Sequence, residues 1–364
     1  MNPNSPCPTV IEPVRVVGSP GLTGWLRDQR LSLAFTTYQS GKLFLVGRKP
    51  ENGLAIFERT FNRAMGLWSD GQTIWLSSAY QLWRFENSLA PGQVDEGFDR
   101  LYVPRAGYTT GDLDIHDVAR NVEGQVVFVN TRFSCLATLS EQHSFTSLWK
   151  PWFIDRLVPE DRCHLNGLAL VDGQPRYVTA SACTNNPEGW RHRQDDGGVV
   201  IDVVRERILV EGLSMPHSPR WYRDKLWLLD SGNGTLGWVD PVRGEFTPIA
   251  VCPGYARGLA FVDHYAVIGL SRPRRGGVFG GLNLDARLSR EGMTPRCGLI
   301  VVDLDSGEIV HGLDIQGPID ELYDVVVLPE VVRPTALAFN NEEIRYTETT
   351  EGLSGALWRA TSCR

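Results

Sequence analysis

The chain repeats itself about every fifty residues, and this recurrence restricts its possible folds more than any other feature. Six short apolar segments occupy equivalent places: Arg63–Trp68, His116–Ala119, His164–Ala169, His217–Trp221, Arg257–Ala260 and Tyr323–Val326. Met65 to His116 is 51 residues, His116 to Asn166 is 50 and Asn166 to His217 is 51. A period of this size belongs to solenoids, propellers and arrays, whose units cannot bury an apolar face alone.

Each unit continues in the same way. After His217–Trp221 come a polar turn at Arg223-Asp224, the run Lys225–Leu229, the turn Asp230–Gly234, the run Thr235–Val239, the turn Asp240–Gly244 and a last run, Glu245–Val251. Four β-rich runs separated by Gly, Asp, Asn and Pro predict a four-stranded antiparallel meander. The third unit matches with Val118–Arg120, Val126–Asn130, Cys135–Leu139 and Phe145–Trp149, and the second with Thr73–Ser77 and Leu82–Glu86. Leu31–Thr36, Leu43–Val46 and Leu54–Thr60 lack an opening segment, whereas Leu322–Leu328 is an opening segment without a meander. Joined, they complete one blade. The expected fold is therefore an all-β, six-bladed β-propeller of four-stranded antiparallel blades. It is closed by pairing N- and C-terminal segments, which removes open sheet edges. The competing architectures are an open solenoid or two sandwiches.

Residues 1–30 read as an arm with a short helix at Thr23–Arg30 capped by Thr23, residues 31–340 as the propeller and residues 341–364 as a tail. Pro151–Asp161 reads as a helical connection between blades three and four. Two insertions, Thr184–Gly198 in blade four and Ser271–Cys297 in blade six, fall between second and third strands. The latter contains an expected helix, Asn283–Arg290, capped by Asn283.

A net charge of −7 gives no basic footprint for nucleic acid. No apolar run approaches membrane-spanning length, and the first residues lack the pattern of a secretory signal, so the expected compartment is the cytoplasm. Seven cysteines without Cys-x-x-Cys spacing read as reduced, buried thiols rather than a disulfide framework or zinc ribbon.

Cys163–Ala169, Met215–Trp221, Leu226–Gly232, Arg257–Phe261 and Gly281–Leu288 resemble an uncharacterised bacterial family of conserved hypothetical proteins, some associated with tetratricopeptide repeats. More loosely, the repeats look like six-bladed propellers of the gluconolactonase and NHL type. The resemblance implies a fold and brings no activity with it.

In a propeller the first strand of each blade lines the central channel, so three features converge on one mouth. His116, His164 and His217 stand at first-strand entrances of neighbouring blades, both insertions overhang that mouth, and the insertions carry Arg191, Arg193, Arg272, Arg274 and Arg275. Three neutral imidazoles are a suitable ligand set for a divalent metal (Zn, Fe or Cu). Asn166 shares the face of His164 by strand alternation. Arg257 would clamp an anion and Tyr323 serve as acid or base. Arg220, Trp221, Arg272, Arg274 and Arg275 are further ligand-binding candidates, and Asp117 and Asp324 candidates for orienting the imidazoles. The structural alternatives are hydrogen-bonded histidines, a channel plug made by Arg257 with Asp117 or Asp324, and solvated insertion arginines. Ser218 beside His217 does not read as a catalytic dyad, because adjacent strand residues face opposite ways.

The leading expectation is a metal-dependent hydrolase or lyase acting on a small anionic molecule or peptide end. A non-catalytic propeller binding a peptide, protein or small ligand is the second reading, and an iron or copper oxidase or oxygenase the third.

Overall fold

Six small antiparallel sheets stand in a ring around a channel, forming a six-bladed β-propeller. The computed structural model describes residues 13–273, 281–338, 342–349 and 358–359. Blade five shows how the sequence builds a unit. Pro216–Tyr222, Lys225–Asp230, Thr235–Asp240 and Glu245–Val251 pair in order from channel to rim. Trp227 lies opposite Trp238, and Leu229 opposite Leu236. The last turn is set by Asp240, whose carboxylate accepts hydrogen bonds from the Val242 and Arg243 N–H groups at 2.8 and 3.2 Å. Asp202 and Asp303 do the same in blades four and six. An Asp at this offset fixes a tight turn from its own side chain, which is why the meander recurs.

The ring closes as the sequence predicts. Leu322–Pro329 supplies the inner strand of blade one, and Leu31–Thr37, Lys42–Arg48 and Leu54–Thr60 its other three. Leu33 lies opposite Val327 and Phe35 opposite Val325. Two further strands extend the rim. Arg15–Gly18, expected as part of an arm, adds antiparallel to blade six, and Pro334–Ala336 adds parallel to Arg100–Thr109 of blade two.

The core is divided among the interfaces between blades. Val127, Val129 and Leu136 of blade three pack on Leu165, Leu168 and Val178 of blade four. Leu226 and Leu228 of blade five meet Val200 and Val210 of blade four, and equivalent clusters occupy the other interfaces. Burying each of these side chains contributes roughly 1.5–3 kcal/mol. Cys135, Cys163, Cys252 and Cys297 are buried free thiols, Cys183 is an exposed one, and Cys7 and Cys363 lie outside the described residues. Among the described residues no helix is long and apolar enough to cross a membrane.

Three local expectations are corrected. The first helix is Leu22–Asp28, and its N-cap is Gly21 in a left-handed conformation, not Thr23. The insertion helix is Asn283–Glu291 with Leu282 at the N-cap, and Asn283 instead donates its side-chain N–H to Asn233 Oδ1 at 2.9 Å. Pro151–Asp161 forms turns rather than a helix. There the buried Arg162 guanidinium ties down Asp155 and Glu160, giving the segment polar anchors in place of a helical ladder.

Candidate active site

The inner strands all enter from one face of the disc, so residues two apart form successive rings around the channel. Met65, His116, Asn166, His217, Arg257 and Tyr323 make one ring. Arg63, Asp114, His164, Met215, Tyr255 and Glu321 make the ring above it, nearer the mouth. A register shift follows the lower ring in blades one, three, four, five and six. An extra residue in the strand turns the next side chain inward as well. Asp117, Ser218 and Asp324 use that position to accept backbone N–H groups from the following blade: Leu168 at 3.0 Å, Gly258 at 3.0 Å and Leu67 at 2.9 Å. The alternate blades carry glycine there. A Cβ on Gly167 would lie 2.4 Å from Pro219 Cδ, closer than atoms can approach.

Each of the three histidines is held through Nδ1. His116 Nδ1 donates to the Asp114 carbonyl at 2.8 Å, His217 Nδ1 to the Met215 carbonyl at 2.7 Å, and His164 Nδ1 to the Asp161 carboxylate at 2.8 Å. These bonds leave Nε2 of each ring as the lone-pair nitrogen. Burial drives the His116 imidazole down to about 3, with His164 and Arg257 pushing the same way against Asp114. Burial also holds His217 well below the usual imidazole range. Burial alone would push the Asp114 carboxyl up; His116, His164, Arg63 and Arg257 hold it below its ordinary value.

His116 and His164 meet edge to face, 4.8 Å between ring centres, and His116 meets Tyr323 the same way at 5.4 Å. With Arg257, Glu321, Asp114 and Asp161 they line a chamber of about 120 Å³. The Arg257 guanidinium lies 5.0 Å from the centre of the Tyr323 ring and 3.8 Å from Glu321 Oε1. Burial pushes the Tyr323 phenol well above its ordinary value, and its hydroxyl makes no hydrogen bond among the described residues. His217 is buried and does not line the chamber. Among the described residues, no three His, Cys, Asp or Glu side chains gather closely enough to hold a metal ion.

The chamber widens outward into a vestibule of about 510 Å³ that shares Tyr38, Asp114, Asp161 and Arg191 with it. The blade-four insertion roofs this passage. Trp190, fully buried, stacks on His164 at 4.0 Å and donates its indole N–H to Asp161 Oδ2 at 2.9 Å. The blade-six helix supports that roof, packing Leu284 and Leu288 with Trp190, Met215 and Tyr255. The described lining of the vestibule is mixed in charge. It holds Asp112, Asp114, Glu160, Asp161 and Glu188 against Arg63, Arg132 and Arg191. Arg191 pairs with Glu188 at 3.0 Å and Arg63 with Asp112.

Several candidates fall elsewhere. Arg220 points into the channel below the chamber, where it pairs with Asp117 at 2.6 Å and lies 3.6 Å from Asp324. The channel plug is therefore Arg220 and not Arg257, and the two aspartates serve it and the neighbouring backbone rather than the imidazoles. Trp221 lines the opposite mouth beside Arg220. Arg272 is bound to Asp320 at 2.9 Å and to the Ile315 carbonyl, away from the chamber. Asn166 donates to Ser181 Oγ and the Pro216 carbonyl, both at 3.0 Å, while its own carbonyl oxygen makes no hydrogen bond among the described residues. Arg274 and Arg275 lie outside the described residues. Ser218 and His217 form no dyad: Ser218 Oγ faces Gly258 N–H, and His217 Nδ1 faces Met215 and Ser231. Sequence reading missed Asp114, Asp161, Glu321 and Tyr38. Stepping two residues back from each lower-ring position would have found Asp114 and Glu321; nothing local marks Asp161 or Tyr38.

A family model described as a domain of unknown function, DUF4915, matches residues 20–337. The chain belongs to the DUF4915 family. No curated protein matches this DUF4915 sequence. Its fold is similar to a chain in the crystal structure of a nidogen/laminin complex, with a TM-score of 0.50 at 11% identity, covering 82% of this chain and 99% of that one. Selenomethionine-substituted virginiamycin B lyase from Staphylococcus aureus aligns at a TM-score of 0.39 and 11% identity, over 83% of this chain and 99% of that one. At 11% identity the likeness to the nidogen/laminin chain concerns the propeller alone.

Proposed function

We propose that the channel mouth is the active site of a lyase or hydrolase that works by proton transfer on a small molecule with a carbonyl or carboxylate head. One observation carries this reading: the Asp161–His164 pair lines the same chamber as a neutral phenol and a guanidinium. Asp161 fixes the His164 tautomer so that Nε2 accepts a proton, from a carbon acid or from water. The Tyr323 hydroxyl and Arg257 then stabilise the negative charge that develops on the substrate oxygen. His116, neutral throughout the physiological range, serves as a hydrogen-bond acceptor that positions the substrate. A chamber of about 120 Å³ admits only the reacting group, and the vestibule of about 510 Å³ holds the remainder. Its mixed charges suit a polar body better than a purely anionic one.

A second reading has its own support. Anchoring imidazoles through Nδ1 is how metal-ligating histidines are oriented. His116 and His164, with Tyr323 or the Asn166 oxygen, would hold a divalent ion, which supplies Lewis-acid chemistry when bound. The buried free thiols support a reducing, cytoplasmic setting.

The test is a screen of small carboxylic acids, lactones and esters against the purified protein. Product formation and solvent deuterium uptake are read by NMR, alongside metal analysis of protein made without a histidine tag. Turnover that is lost in both His164→Ala and Tyr323→Phe supports the reading. A substrate turned over equally by both variants would overturn it. Stoichiometric metal that is lost in His116→Ala would select the metal-assisted form.

A further inference from the structure

The opposite face of the disc carries a second cavity with a different character. Lys42–Arg48 of blade one runs away from the channel mouth, and at its end a cavity of about 440 Å³ opens between blade one and the edge of blade two. Arg27, Arg48, Lys49 and Arg333 line it together with Asn52 and Gly97, and among the described residues no lining residue is acidic. This is a concentration of cations on a chain whose net charge is −7.

The cations are built in rather than scattered. Arg48 N–H donates to the Val332 carbonyl at 2.8 Å, which pins the strand carrying Arg48 to the segment carrying Arg333. The Arg333 guanidinium lies over the Phe98 ring, its carbon 4.5 Å from the ring centre. It also passes so close to Gly97 that a Cβ there would sit 2.8 Å from Arg333 Nη1. The nearby Asp99 carboxylate is occupied by the Val332 and Arg333 backbone N–H groups at 2.9 and 2.7 Å. Arg27 is offset by Asp28 at 2.9 Å, but Arg48, Lys49 and Arg333 form no ion pair among the described residues. The Nε atoms of both Arg48 and Arg333 are buried without a hydrogen-bond acceptor there.

We propose that this cavity binds a free small molecule bearing a di- or triphosphate group. Two guanidinium forks match phosphate oxygens in bidentate fashion, and Lys49 adds a mobile point charge. Several fixed cations in one pocket favour a chain of phosphates over a single one. The volume is that of a site for a whole small ligand. The site is independent of the channel-mouth chemistry.

Calorimetric titration of the full chain with pyrophosphate, ATP, orthophosphate and a phosphoserine peptide tests this. Pyrophosphate or ATP is expected to bind one per chain, more tightly than orthophosphate and more weakly as salt is raised. Arg48→Ser and Arg333→Ser should each weaken binding about tenfold or more, the effect of losing one charge-assisted fork. Lys49→Ser, at an exposed position that cannot unfold the chain, should weaken it severalfold. Arg205→Ser, far from the cavity, should change nothing. The proposal is overturned if neither pyrophosphate nor ATP binds, if binding survives both Lys49→Ser and Arg48→Ser unchanged, or if the phosphopeptide binds more tightly than pyrophosphate.

Discussion

Replacing Arg220 by Met isolates the electrostatics of the channel. Asp117 and Asp324 are each about 4% exposed, and each also accepts backbone N–H groups from its own blade and the next. Arg220 is their shared cation, itself 23% exposed toward the lower mouth. Removing one partner of a buried ion pair costs about 3–5 kcal/mol, and partial access to water places this case near 3. A chain of 364 residues has an unfolding entropy of about 2 cal/mol/K per residue, so each kcal/mol lowers the melting temperature by roughly 1.3 °C. The expected loss at pH 7.5 is therefore about 4 °C. The pH dependence separates electrostatics from packing. Burial already pushes the Asp324 carboxyl up to about 7, so the native chain holds this proton more tightly than the unfolded chain does. Its contribution is then greatest below the unfolded value near 4 and is lost as pH rises through 7. Without Arg220 the Asp324 carboxyl loses the cation that holds it down while Asp117 still pushes it up, so the deficit of the variant should shrink as pH falls from 7.5 to 5. Melting followed by circular dichroism at both pH values is the assay. A deficit that is the same at both, or under about 1 °C at pH 7.5, would refute this reasoning.

Tyr323→Phe should leave stability within about 0.5 kcal/mol, because the hydroxyl it removes makes no hydrogen bond among the described residues, while abolishing any turnover. Gly167→Ala should cost about 1–3 kcal/mol through overpacking against Pro219, whereas Gly24→Ala, in the first helix with open space around it, should gain up to about 1 kcal/mol; denaturant midpoints distinguish the signs. Trp190→Ala should free the blade-four insertion, raising amide hydrogen exchange across residues 184–197 while blade-five strands stay protected.

The propeller was legible because its signals are local. Short β-rich runs, turn aspartates such as Asp240 and a constant spacing report strands and their order without knowledge of distant contacts. The orphan meander at Leu31–Thr60 and the orphan inner strand at Leu322 likewise implied closure, since each left edges that only the other could cover. The site was legible only in part. His116, Arg257 and Tyr323 share a ring because their spacing from the repeat is the same. His164 stands one ring higher yet still meets His116, and Trp190 of the blade-four insertion stacks on it.

What the sequence alone determined is which segments become inner strands, and hence which residues stand near the axis. Which way each side chain turns was decided by the tertiary structure. The bulge after His217 adds one residue to the strand and brings Ser218 and Arg220 into the channel, so that Arg220 takes the plug role otherwise open to Arg257. Alternation along a strand is a local rule, but a bulge exists only against the partner strand it offends, and Asp161, Tyr38 and the Arg48–Arg333 pair come together only when blades distant in sequence are packed side by side.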